Sequence, residues 1–213
     1  HPHARTHTIF AWHVRMHHFR PRTHALLTTT VRSQASHHPP HSSTTHTSNQ
    51  VVHEKLVGLS AAAHFVGMDA LSELSAKKAI EGLQPSNAAL TLQQAKQRGV
   101  QRVREASMEL VLKEFDKVCE TEGFIRGLDV DLVCEVIERD ELRAEGGEEV
   151  VFEAVLRWLG AGIPGRGATE ATRLLERVRF PLMGGMYLGT KVAKCDAACV
   201  AGVEVLQKLY AEA

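Results

Sequence analysis

"GLQPSNAALTLQQAKQRG", Gly82 to Gly99, contains a stop, a turn, a restart and a second stop within one short run. Gly82 closes what precedes it, and Pro85 with Ser86-Asn87 breaks one helix and caps the next. Leu90 or Leu92 with Ala95 then supplies a small-residue face until Gly99 ends the helix. "VQRVREASMELVLKEFDKVC" follows at once, with Val100, Val103, Ser107, Leu110, Val111 and Phe115 at three- and four-residue steps. Two helices joined through one glycine form an antiparallel hairpin. Helices this short bury an apolar stripe only by packing on neighbours.

The same grammar extends in both directions. Upstream, "VVHEKLVGLSAAAHFVGM" sets Val52, Leu56, Leu59, Ala63 and Val66 on one helical face, and His64 reads as a surface or satisfied core residue. "MDALSELSAKKAIEG" restarts with Asp69 as N-cap, Leu71, Leu74 and Lys78 on one face, and Gly82 as a left-handed C-cap. Downstream, "LDVDLVCEVIERDEL" has Asp129 as cap and Val130, Val133 and Ile137 as stripe.

"GGEEVVFEAVLRWLG" is the most informative single helix. Glu148 and Glu149 suit its positive N-terminus after Gly147. Val151, Ala154, Val155, Trp158 and Leu159 make a wide apolar face that Phe152 and Leu156 extend, so the helix is expected at the centre of the assembly. "GAGIPGRGA" then reads as a loop, "TEATRLLERV" as a short helix and "RFPLMGG" as a stop. A last helix carries Cys199, Val203, Leu206 and Tyr210 in step. No segment alternates as a strand does, and the expected fold is all-α, an array of consecutive short helix hairpins.

Residues 1–50 are a different kind of sequence. They carry Arg5, Arg15, Arg20, Arg22 and Arg32 with no acid, whereas the rest of the chain holds 20 basic against 25 acidic residues. All 13 histidines lie at or before His64. Rich in His, Ser, Thr and Pro and without a period, the leader cannot bury enough apolar surface to offset chain entropy, and it is expected to be disordered. His17/His18 and His37/His38 invite a metal reading, but no ligand set with Cys or carboxylate partners accompanies them, so no metal site is assigned. An acid-free, Arg- and Ser-rich leader also fits organelle targeting; a low-complexity leader is the plainer reading.

Chemistry is sparse. "GAGIPGRG" lacks the Lys-Ser/Thr of a phosphate loop and follows a helix instead of a strand. Cys119, Cys134, Cys195 and Cys199 sit among apolar residues without scaffold density, which points to a reducing intracellular compartment; Cys195 and Cys199 read as small buried hydrophobes. Acidic pairs such as Glu148/Glu149 and Asp129/Asp131 stand at helix starts, where the dipole explains them. The basic cluster Lys96, Arg98, Arg102 and Arg104 reads as solvated surface. With an acidic body and 5% aromatics, the chain is not expected to bind nucleic acid. No apolar run nears the roughly 18 residues of a membrane span. Neither an enzyme nor a cofactor is expected.

Taken in order, these segments resemble a known family. Ala63-His64-Phe65-Val66-Gly67-Met68, Leu83-Gln84-Pro85-Ser86-Asn87, Gly99-Val100 and Phe115 are similar to the end of a BTB domain running into a BACK domain, the helical module of BTB-Kelch proteins. Glu149, Val151, Phe152, Ala154, Val155 and Trp158, then Val178 to Leu182, look like that module's later part. The resemblance implies a leader over 1–50, BTB C-terminal-like helices over 51–82 and a BACK domain over 83–213, without a complete BTB or Kelch part.

It also implies a substrate adaptor of cullin-type ubiquitin ligases, with a cullin scaffold and a protein substrate or BTB partner as its contacts. A candidate three-box follows from it, with Leu71, Leu74, Leu83, Pro85, Ser86, Asn87, Leu90 and Gln94 facing a partner. Phe115, Val151, Phe152, Val155, Trp158 and Pro181 are the expected core. Gln93, Gln94 and Gln97 are expected on an open face. The alternative is a stand-alone helical interaction module, unrelated to ubiquitin, whose His-rich leader binds metal or serves targeting.

Overall fold

A computed structural model describes residues 43–195, with side chains from His53 onward. The leader, the tail helix expected beyond Cys195 and the histidine pairs of residues 1–42 lie outside the described residues. Within them the chain is all-α, and no strand occurs.

Helices α1 (Ser43–Phe65) and α2 (Asp69–Glu81) pack as one hairpin, and α3 (Pro85–Arg98) and α4 (Gln101–Lys113) as a second. The second hairpin turns on Gly99, which sits at φ +70 with its N–H on the carbonyl of Lys96 while Val100 N–H reaches Ala95. A short α5 (Phe115–Val118) and a wide turn at Gly123–Gly127 lead to α6 (Val130–Glu138). After it come α7 (Glu148–Leu159), α8 (Ala168–Leu175), a tight turn at Phe180–Leu182 and the one-turn α9 (Gly185–Tyr187).

Two apolar clusters hold these elements. The larger joins α3 to α8 around Phe115, Phe124, Phe152 and Trp158, each no more than 2% exposed. Phe115 meets Phe124, and Phe152 meets Phe180, edge to face at 5.8 Å. Val151, Ala154 and Val155 are fully buried beside them, so α7 stands at the centre as its sequence face predicts. The smaller cluster, Val57, Ala76, Ala79, Ala95 and Val103, contains no aromatic residue and lies between α1–α2 and α3–α4.

Several sequence expectations are corrected here. On α1 the inward residues are His53, Val57, Ser60 and Ala63, while Leu59 and Val66 are exposed. The true stripe runs along small and polar side chains because α1 and α2 approach closely. Ser60 Oγ donates to the Ser72 carbonyl at 3.0 Å, and Ser72 Oγ to the Ser60 carbonyl at 2.9 Å. For the same reason α2 buries Ser75, Ala76 and Ala79 and exposes Leu74. Asp69 is the first helical residue and makes no capping bond, since Met68 occupies the cap position.

Gly82 is not left-handed: its φ is −100, and what requires glycine is the His53 ring, 2.3 Å from where a β-carbon would stand. The cap of α3 is Gln84, whose N–H donates to Asn87 Oδ1 at 2.9 Å, and Asn87 Nδ2 ties back to the Gly82 carbonyl at 3.1 Å. Pro181 is exposed and is not a core residue. Its ring starts the Phe180–Leu182 turn, which sends Phe180 and Met183 inward and leaves Leu182 outside.

Candidate partner-binding surface

The candidate three-box residues spread over α2, the α2–α3 turn and α3, and they do not share one environment. Leu74 and Ser86 are exposed, whereas Leu71, Leu83, Pro85, Leu90 and Gln94 are half-buried. Asn87, 8% exposed, is the internal lock of the turn just described. Leu90 is held by close backbone approach, because a β-carbon on Gly127 would lie 2.3 Å from its Cδ2. Around it Ser86, Glu122, Gly123 and Arg126 complete a shallow dent of about 370 Å³, rimmed by the Arg126–Glu122 ion pair at 2.8 Å.

A second apolar area lies at the α1–α2 junction. Phe65 is 90% exposed, Val66 64%, Leu74 56% and Met68 53%, with Leu59 beside them on α1. These large side chains stay outside, although Val57 and the partly buried Leu56 and Ile80 pack inward among the small residues. Sequence reasoning placed Leu59 and Val66 inward because it ranked faces by size alone.

The open glutamine face is partly corrected. Gln97 is exposed and Gln94 half-buried, but Gln93 is buried. Its Nε2 donates to Asp129 Oδ2 at 3.0 Å, and its Oε1 accepts the Asp129 N–H at 3.0 Å. Lys96 Nζ adds a contact to the same carboxylate at 3.0 Å, and Asp129 Oδ1 caps α6 by accepting Leu132 N–H at 2.8 Å. Burial pushes the Asp129 carboxyl up, but the bonds from Gln93, Leu132 N–H and Lys96, with the lysine's charge, outweigh it and hold the group below its ordinary value.

The basic cluster likewise proves to be a set of clamps. Arg104 reaches both oxygens of Glu135 at 2.7 Å and Arg98 pairs with Glu54 at 3.9 Å, so only Arg102 stands as the plain exposed charge expected. Between α4 and α6 a groove of about 610 Å³ runs over Met108 and Leu112, with Arg104, Glu135 and Arg139 along one wall.

Arg166 was missed, having been assigned to a featureless loop. Its guanidinium carbon lies 3.6 Å from the Trp158 ring centre, and Nη1 donates to the carbonyls of Ile125 and Trp158 at 2.5 and 2.6 Å. Its Nη2 and the Trp158 indole N–H share the Leu128 carbonyl. Glu148 and Glu149 also do more than suit a dipole. They accept the backbone N–H groups of Arg179, at 2.8 Å, and Gly184, at 3.3 Å, strapping the Phe180 turn to α7.

Burial pushes the Cys119 thiol up to about 11 and raises that of Cys134, which keeps both protonated. Burial, then the Glu153 carboxylate, pushes the Tyr187 hydroxyl up to about 12, and that hydroxyl donates to Glu153 at 3.1 Å. Among the described residues no cluster of His, Cys, Asp and Glu could hold a metal ion, and no helix is long and apolar enough to cross a membrane.

A family model described as BACK, BTB And C-terminal Kelch, matches residues 89–193. Kelch-like protein 41 of Mus musculus and of Rattus norvegicus are each 34% identical over 95 residues, 45% of this chain and 15% of the relative. Kelch-like protein 25 of Mus musculus is 34% identical over 103 residues, 48% of this chain and 17% of that protein. The matched part is thus a small fraction of each relative's length.

Proposed function

We propose, from the BACK family-model match over residues 89–193, that the chain is a non-catalytic interaction scaffold of BTB-Kelch type, serving substrate recruitment to a cullin-based ubiquitin ligase inside the cell. The observation that carries this reading is the BACK match preceded by a hairpin that exposes an apolar patch around its α1–α2 junction. Phe65, Val66, Met68 and Leu74 offer the large exposed side chains from which protein contacts are built.

The partner-facing set then comprises Leu71, Leu74, Leu83, Pro85, Ser86, Leu90 and Gln94, with Asn87 shaping the turn that presents them. Residues 51–82 act as BTB C-terminal-like helices and 83–213 as the BACK unit. The protonated cysteines and the acids engaged in caps and ion pairs support a scaffold without catalysis.

A pull-down with the BTB-specific cullin, with and without an added BTB domain, tests the ligase role. Capture in either form, weakened by Leu74→Asp or Phe65→Asp, is the expected result. No capture in both forms removes the ubiquitin part of the reading. Deleting residues 1–50 separates leader from body: the scaffold reading expects capture to persist, and its loss would favour a leader-driven module.

A further inference from the structure

The most unusual buried group among the described residues is the imidazole of His53, which is 8% exposed on α1. Its Nδ1 is buried and meets no hydrogen-bond partner, while the ring's other nitrogen bonds the Gly82 backbone. The seat is tight, since Gly82 has no room for a β-carbon beside Nε2, and Asn87 Nδ2 draws on the same carbonyl. Farther along the same hairpin the Ser60–Ser72 exchange also joins α1 to α2, and the smaller cluster, with Leu56, Ile80 and Val100 packed against it, lies between the hairpin and α3–α4. The His53 and Ser60 contacts both join α1 to α2 or its end, so α1 is held on α2 in part by a few polar groups.

A neutral imidazole needs only one acceptor, and a bare lone pair at Nδ1 is the milder omission. Protonation creates a second N–H there, with charge, in a place that offers no acceptor. The charged groups on the surrounding elements are committed elsewhere. On α1, Glu54 faces Arg98 of α3 and Lys55 is exposed; on α2, Lys77 and Lys78 both face Glu81. We propose that His53 is a protonation-sensitive latch: neutral, it seats α1 on the C-terminal end of α2, and acidification loosens that end of the hairpin while the larger core stays folded.

Burial disfavours the charged ring, and the Gly82 bond offsets this only in part, so the folded group titrates below the ordinary histidine value. That end of the hairpin is fully seated above that ordinary value. Its seating weakens as the pH falls from there through the folded one. This inference does not depend on the ligase reading.

Amide hydrogen exchange on the full chain, corrected for intrinsic rates, tests it at about pH 7.5 and about pH 5. Protection over residues 53–81 is expected to fall at the lower pH, while α6 and α7 keep theirs. A uniform loss, or none, overturns the latch. His53→Gln removes the titration and should flatten the α1–α2 response; His64→Gln, on an exposed position, should leave it intact. If His53→Gln does not fold, the wild-type His53 ring resonances decide, because their titration must coincide with the loss of α1 protection.

Discussion

Arg166 holds three backbone carbonyls and the face of Trp158 at once, closing the loop between α7 and α8 over the indole. Arg166→Ala would leave those carbonyls without the charged donor and uncover the ring, and it is expected to cost about 2–3 kcal/mol in urea unfolding. Arg166→Lys should restore little, because a point ammonium cannot stack and fork together. Trp158→Ala removes a fully buried side chain at the centre of the larger core and is expected to cost about 3–5 kcal/mol in the same assay. A loss under about 1 kcal/mol would contradict the central place of α7.

At the scale of elements, Asp129 joins α3 to α6 through Gln93 and Lys96 while capping α6. Its folded carboxyl titrates below its unfolded value. The stability it contributes is present above the unfolded value and is lost as pH falls through the folded one. Asp129→Asn keeps a cap and loses the charge, so it should be about 0.5–1 kcal/mol less stable at neutral pH. The two unfolding curves should converge in acid, and a pH-independent difference would overturn the role of the charge.

The Asp129 cap was legible locally, because its partner Leu132 is three residues away; the clamp was not, because Gln93 lies 36 residues upstream. Likewise α7 could be read from size and spacing, since its large residues all point inward. On α1 and the turn after it the same rule failed, because close approach puts His53, Ser60, Ser75 and Ala79 inside and leaves Leu59 and Val66 outside. The surface built by those outward residues was therefore misplaced, although the turn at Pro85–Asn87 was found. Arg166 carried no periodic signal at all, and only the folded loop reveals its use.

Across the whole molecule, the two apolar clusters divide the stability unequally. Cys119 and Cys134 lie in the larger one with their thiols held protonated by burial, so they report its opening. Pulsed alkylation in rising urea should modify them only with global unfolding, after the amides of α1 and α2 have begun to exchange. Modification of either cysteine before that transition would mean that the larger cluster opens in parts.

The Arg166–Trp158 stack has an optical consequence as well. The chain contains two tryptophans, Trp12 and Trp158, so Trp12→Phe leaves one fluorophore, shielded from water and lying under a fixed positive charge. Its emission maximum and lifetime would register the lifting of the guanidinium separately from the entry of solvent. That single chromophore would distinguish a loop that swings away from a core that melts.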